Sequence, residues 1–174
     1  MPRSAAVPFK LRRSQDVLGS SSITTTTETV HGLLRLDGDR VVIQWRLARK
    51  TEHIGNELRT DREFEAVREV VLPIDVLAGA QVRAPWLGFF GGGKLVLTAA
   101  DLQAFEAVAG EGGLRLRHPA ELLVRIRRSD RMLAEEFSAE LAMAVAERAL
   151  ELHQERSLAR GRERNLGEGQ EGSV

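Results

Sequence analysis

The segment Gly91-Gly92-Gly93-Lys94 comes closer than any other stretch of the sequence to a known chemical motif. Glycines followed by a lysine are found in loops that hold phosphate with backbone N–H groups. Such a loop continues with Ser or Thr at the start of a helix, whereas Lys94 is followed by Leu95-Val96-Leu97, an apolar run typical of a strand. The pattern therefore predicts a flexible turn between strands.

The other reactive side chains are scattered along the chain. The four histidines fall in different predicted elements and form no i, i+4 pair, so they predict no metal site: they are His31, His53, His118 and His153. The serines at 20–22 stand in a polar run, and no Gly-x-Ser-x-Gly motif is present. The chain has no cysteine, which removes thiolate nucleophiles and Cys-ligated metals. We therefore expect a non-enzymatic protein with no cofactor and no catalytic, cofactor-binding or metal-binding residues.

The charge balance limits the partners. The 174 residues include 25 Lys and Arg and 25 Asp and Glu, so no bulk positive field would attract nucleic acid, and we expect no nucleic-acid partner. The N-terminus lacks a continuous apolar signal region, and no later segment approaches the length of a membrane span. These features predict a cytoplasmic protein.

Composition divides the chain into three parts. Residues 1–20 are basic and show no sustained period, which predicts a flexible basic N-terminal arm. Residues 157–174 are rich in Gly, Arg and Glu and predict a disordered C-terminal tail. The folded domain is expected over 21–156.

A hairpin is the clearest predicted element. A strand predicted over 24–36, which begins with a β-branched run, leads into the turn Asp37-Gly38-Asp39. The return strand over 40–50 alternates so that its core face consists of Val41, Ile43, Trp45 and Leu47. The charged, non-periodic segment 51–68 predicts either a mobile loop or a frayed extension of the hairpin. Further strands are expected at 70–74, 75–85, 94–98, 114–117 and 122–127. Seven strands at this spacing predict a β-rich α+β protein, an antiparallel barrel or sandwich closed by one C-terminal helix.

The closing helix is expected to begin near residue 130, where Ser129 can cap it and Asp130 faces the positive end of its dipole. The predicted buried stripe consists of Leu133, Phe137, Leu141, Ala144, Val145 and Leu152. A second helix stripe lies on the far side and consists of Met132, Ala139, Met143, Ala146 and Leu150. This stripe either meets a partner or a second copy of the chain, or is tolerated in solvent or covered by the N-terminal arm.

The aromatic segment beside the glycines is a second candidate interaction surface. Its apolar members are Trp86, Leu87, Phe89 and Phe90. If the segment protrudes, it can contact a protein partner or a membrane surface. If Trp86 and one Phe turn inward, they cap the core.

This arrangement resembles the pleckstrin-homology-like superfold in its small bacterial versions. The stretch that resembles it most runs from Gly92-Gly93-Lys94 through Leu122, Val124 and Ile126 into the helix as far as Leu141. The resemblance implies two nearly orthogonal antiparallel sheets with a helix closing one end, and a binding or scaffolding role. Some members bind phosphoinositides with bases around the first hairpin loop, but here that loop is the short acidic Asp37-Gly38-Asp39.

Together these features predict a binding or scaffold module that mediates protein–protein interaction, with self-association among the forms this could take. The predicted interaction residues are Trp86, Leu87, Phe89, Phe90, Met132, Met143 and Leu150. The alternative is a peripheral module for anionic membranes, in which the basic arm and Phe89-Phe90 act together.

Overall fold

The computed structural model of the protein describes residues 5–19, 23–54, 58–83, 92–109, 114 and 116–168, with side chains as far as residue 160. In chain order, the elements are β1 (Ala6–Leu18), β2 (Ile23–Asp37), β3 (Arg40–Ile54), β4 (Leu58–Phe64), β5 (Arg68–Pro73), β6 (Leu77–Arg83), β7 (Lys94–Ala99), α1 (Glu106–Ala109), β8 (Glu121–Arg125) and α2 (Arg131–Glu168). Single 3₁₀ turns precede β6 and α2. The predicted β-rich α+β class is confirmed.

The strands form one antiparallel sheet in the order β4-β3-β2-β1-β8-β7-β6. β4 pairs with the distal half of β3 and β5 pairs with its first half, so β4 and β5 follow the same edge of β3 in succession. Pairing among the described residues leaves β6 at the opposite edge, and the sheet is not closed. Leu114, Leu116 and Arg117, expected in a strand, lie outside the strands.

The predicted hairpin is confirmed as β2 and β3, which pair along their whole length. Gly38 has a φ of +62°, a backbone conformation that favours glycine, and Asp37 is paired with Arg40 across the turn. The four residues of the predicted core face are all buried: Val41, Ile43, Trp45 and Leu47.

β1 and β4 are the elements that the sequence pattern did not predict. Residues 6–18 pair with β2 along the whole strand, where a solvated arm was expected, and Val7 and Phe9 are buried. Residues 58–64, expected in a mobile loop or a frayed extension of the hairpin, form a separate strand that pairs with β3. Both segments are held by backbone hydrogen bonds to a neighbouring strand, which do not require an alternating side-chain pattern.

α2 packs on the sheet through a face centred on Ala134, Phe137 and Leu141, all fully buried. The Ser138 hydroxyl donates to the carbonyl of Ala80 on β6 at 2.6 Å. Leu133, expected in the buried stripe, is 38 % exposed, because the contact face lies one position further along the helix.

Both ends of α2 differ from the prediction. Ser129 donates its hydroxyl to Asp130 at 3.0 Å and makes no side-chain cap, and a 3₁₀ turn over Arg128–Asp130 leads into the helix. The helix continues to Glu168, through most of the segment expected to be disordered. Arg, Glu and Leu, which are good helix formers, make up seven of the twelve residues 157–168.

Candidate functional site

Basic residues from six neighbouring strands lie in one row across the sheet. In each adjacent pair of strands from β6 to β3, the row member on one strand is the direct antiparallel partner of the member on the next. We refer to this set as the basic row; in sheet order it consists of Arg83, Lys94, Arg125, Lys10, His31 and Arg46. Neighbouring strands lie about 4.8 Å apart, so the row is roughly 24 Å long.

The neighbouring core row fixes the register of the basic row. Phe9, Gly32 and Trp45 are cross-strand partners one position along β1, β2 and β3. A Cβ atom at Gly32 would lie only 2.1 Å from Cζ of Phe9, so the aromatic ring packs directly on the glycine. Because successive side chains of a strand point to opposite faces, the inward position of Phe9 and Trp45 directs the next residues outward.

On β7 and β8 as well, buried residues stand next to the members of the basic row. Leu95 of β7 and Val124 of β8 are partners and are fully buried. The Ile126 amide donates to the carbonyl of Gly93 at 3.0 Å, one residue before Lys94. Since Lys94 and Arg125 are next to these inward residues, their side chains face outward, and all six members of the basic row are exposed.

The basic row is electrostatically unbalanced. None of the ion pairs among the described side chains includes one of its members. Like charges directly opposite each other on neighbouring strands destabilise a sheet. An anion bound along the row would offset this repulsion.

Two aromatic rings, that of His31 in the row and that of Phe64 beside it, interact with the positive charges of the row. Partial desolvation and the positive charges of Lys10, Arg46 and Arg127 lower the pKa of His31 below the ordinary value of 6.5. The Arg46 guanidinium lies over the Phe64 ring, 5.2 Å from its centroid, in a cation–π contact. Phe64 is 62 % exposed at the end of β4.

The far end of the same sheet face carries an exposed apolar row. We refer to it as the apolar tip row; it consists of the cross-strand partners Leu18, Ile23, Ile54 and Leu58. Their exposed fractions are 77, 40, 51 and 74 %. The tip row lies eight positions along β1, β2 and β3 from the basic row, an even number, so both rows occupy the outward side of these strands. This separation corresponds to about 26 Å of strand.

The predicted interaction residues have two outcomes. Trp86, Leu87, Phe89 and Phe90 lie in the segment 84–91, outside the described residues. Met132, Met143 and Leu150 are 80, 65 and 64 % exposed. The described N-terminal residues 5–19 leave these three side chains exposed.

Sequence reasoning missed both the basic row and the apolar tip row. The only local signal was a base at an outward position of individual strands, as at Arg46 and Arg125. Single outward bases are ordinary on solvated strands, so this signal does not indicate a site without the register.

Further observations limit the chemistry of the described residues. No three His, Cys, Asp or Glu side chains among them come together in a way that could hold a metal ion. No helix in this part of the chain combines the length and the apolar character needed to cross a membrane. Comparisons with protein-family models, with curated proteins and with solved structures found no match for the chain.

Proposed function

We propose that this protein is a non-enzymatic, pleckstrin-homology-like binding module that docks on anionic membrane surfaces through the outward face of its sheet. The observation that carries the proposal is the basic row: bases in direct register across six strands, none of them ion-paired within the described residues. A Lys or Arg close to an anionic leaflet contributes about 1 kcal/mol of attraction. All six members of the row are exposed, so their side chains are accessible to lipid headgroups.

The apolar tip row favours a membrane over a nucleic acid as the anionic partner. Leu18, Ile23, Ile54 and Leu58 are exposed on the same side as the bases, and burying apolar side chains in the interfacial region of a bilayer is favourable. Proteins that bind single-stranded nucleic acid instead combine bases with aromatic rings on which the nucleobases stack. Phe64 is the aromatic side chain beside the row, and one of its faces is occupied by Arg46.

The experiment is sedimentation of the full chain with phosphatidylcholine vesicles and with matched vesicles containing phosphatidylserine. We expect binding only to the second kind and weaker binding in high salt. Lys10→Gln/Arg125→Gln should lower the affinity about tenfold or more, since two bases leave the row. Ile54→Ser/Leu58→Ser should also weaken binding, with less dependence on salt.

A charge-matched control separates the row from general electrostatic attraction. Arg59→Gln/Arg131→Gln removes the same charge from the opposite side of β4 and from α2, and should change vesicle affinity less than about twofold. Equal losses in both double variants would contradict the proposal. Binding to a single-stranded oligonucleotide without binding to vesicles would also contradict it.

A second candidate function is self-association through the second helix stripe. Ala139, Met143, Ala146 and Leu150 are spaced by four, three and four residues, the spacing of a coiled-coil seam. Met143 and Leu150 are exposed in the isolated chain. We propose a second copy of α2 as the partner that would cover them.

A further inference from the structure

A cavity of about 440 Å³ lies beside the basic row and is lined by residues from the middle of β1, β2 and β3 and from the outward side of β7 and β8. Its volume is within the range of sites that enclose small organic ligands. Four apolar side chains contribute to its lining: Leu11, Val30, Leu47 and Leu123. Val30 and Leu47 are also part of the buried core, which gives this lining a rigid support.

The polar part of the lining carries excess positive charge. Five basic side chains contribute to it, and none of them forms an ion pair within the described part of the chain: Arg12, Arg13, Lys94, Arg117 and Arg125.

The sixth base and both carboxylates of the lining are already neutralised. Arg49 pairs with Glu28 at 3.4 Å, and Glu65 pairs with Arg68 at 3.1 Å. The cavity therefore combines an apolar lining with five uncompensated positive charges.

We infer that this cavity binds a small organic anion that carries an apolar body and a dianionic group such as a phosphate ester. Inorganic phosphate alone has no apolar part that could contact Leu11 and Leu123. A neutral apolar molecule has no charge that could pair with the bases. Arginine forks bind phosphate with two parallel hydrogen bonds, and four of the five bases are arginines.

The inferred site goes beyond membrane docking and can be tested separately from it. Lys94 and Arg125 belong both to the basic row and to the cavity, whereas Arg13 and Arg117 belong to the cavity alone. Arg46 and Arg83 belong to the row and do not line the cavity. Two double variants with the same change in charge therefore distinguish the sites.

The experiment is calorimetric titration of the full chain with 1-naphthyl phosphate, with inorganic phosphate and with 1-naphthol. We expect saturable one-to-one binding of naphthyl phosphate, at least about tenfold tighter than either of the others, because only this compound uses both parts of the lining. Arg13→Gln/Arg117→Gln should weaken it about tenfold or more, since charge-assisted hydrogen bonds are lost. Both arginines are exposed, so the variant should fold normally, which an unfolding curve would check.

The control variant is Arg46→Gln/Arg83→Gln, which should change naphthyl phosphate affinity less than about twofold while weakening vesicle binding. Equal losses in the two double variants would show general attraction by positive charge and overturn the inferred site. Equally weak binding of all three compounds would overturn it as well. If the native chain binds naphthyl phosphate as expected but does not bind anionic vesicles, the proposed membrane function is contradicted and the inferred cavity site stands.

Discussion

Lys94 of β7 and Arg125 of β8 lie directly opposite each other, and Arg125 is also opposite Lys10 of β1. The bases are therefore side by side on three neighbouring strands, and none of them has an ion-pair partner among the described residues. This arrangement opposes folding, since like charges repel across a strand pair. Features that oppose stability in a sheet are often functional.

The first prediction concerns this repulsion. Arg125→Gln should raise the free energy of unfolding by about 0.5 kcal/mol at low ionic strength, because it removes a base that lies opposite a lysine on each side. The measurement is urea unfolding at low and high salt. The gain should disappear in high salt, where the charges are screened. A variant that is less stable than the parent at low salt would show that Arg125 has a stabilising partner.

The second prediction concerns the packing of Phe9 on Gly32. Gly32→Ala should destabilise the fold by about 1–3 kcal/mol, because its Cβ atom would lie 2.1 Å from Cζ of the buried Phe9 ring. Urea unfolding measures the loss. Adding Phe9→Leu should recover part of it, since the smaller side chain leaves room for the methyl group. If Gly32→Ala alone has no effect, the ring does not occupy this position.

The third prediction concerns the pH dependence of vesicle binding. Partial desolvation and neighbouring cations lower the pKa of His31 below its ordinary value of 6.5, so the ring takes up a proton less readily in the free protein. An anionic surface favours the charged ring and raises this pKa, so binding takes up a proton. Affinity for anionic vesicles should therefore increase, about fivefold for one added charge, as the pH falls from about 7.5 to about 5.5.

A matched pair of variants tests the assignment to His31. His31→Gln should remove the increase in affinity at low pH. His53→Gln should retain it, because His53 lies on the opposite side of β3, where Thr24 hydrogen-bonds its ring at 3.1 Å. An unchanged pH profile in His31→Gln would assign the effect to another group.

The fourth prediction concerns the second helix stripe. If two copies pair through it, the native chain is a dimer by light scattering, and Met143→Glu should convert it to a monomer by placing like charges in the seam. Glu147→Gln, next to the stripe on α2, is the control and should leave the mass unchanged. A dimer that persists in Met143→Glu would exclude this interface.

The fifth prediction concerns the two halves of α2. Leu141→Ala should cost about 2–5 kcal/mol, because the side chain is fully buried against the sheet. Leu158→Ala, the same change at a position 68 % exposed on the same helix, should stay within about 0.5 kcal/mol. Similar losses at both positions in urea unfolding would show that the second half of the helix also packs.

The elements with strong local signals could be predicted from the sequence. The Asp-Gly turn and the alternation over 40–50 determined the β2–β3 hairpin and its buried face. The apolar spacing of Phe137 and Leu141 determined the inner face of the closing helix. In these elements the turn residues and the side-chain period specify both the structure and the face that is buried.

The remaining features were decided by the tertiary structure. β1 has no alternating pattern beyond Phe9, and its place between β2 and β8 depends on backbone pairing with both strands. The basic row collects residues from position 10 to position 125, and a shift of one residue in any strand would turn its base to the other face. The sequence by itself determined an outward position for Arg46, through the alternation over 40–50. Only the register of six strands places the bases side by side, because cross-strand neighbours are set by long-range hydrogen bonding and core packing.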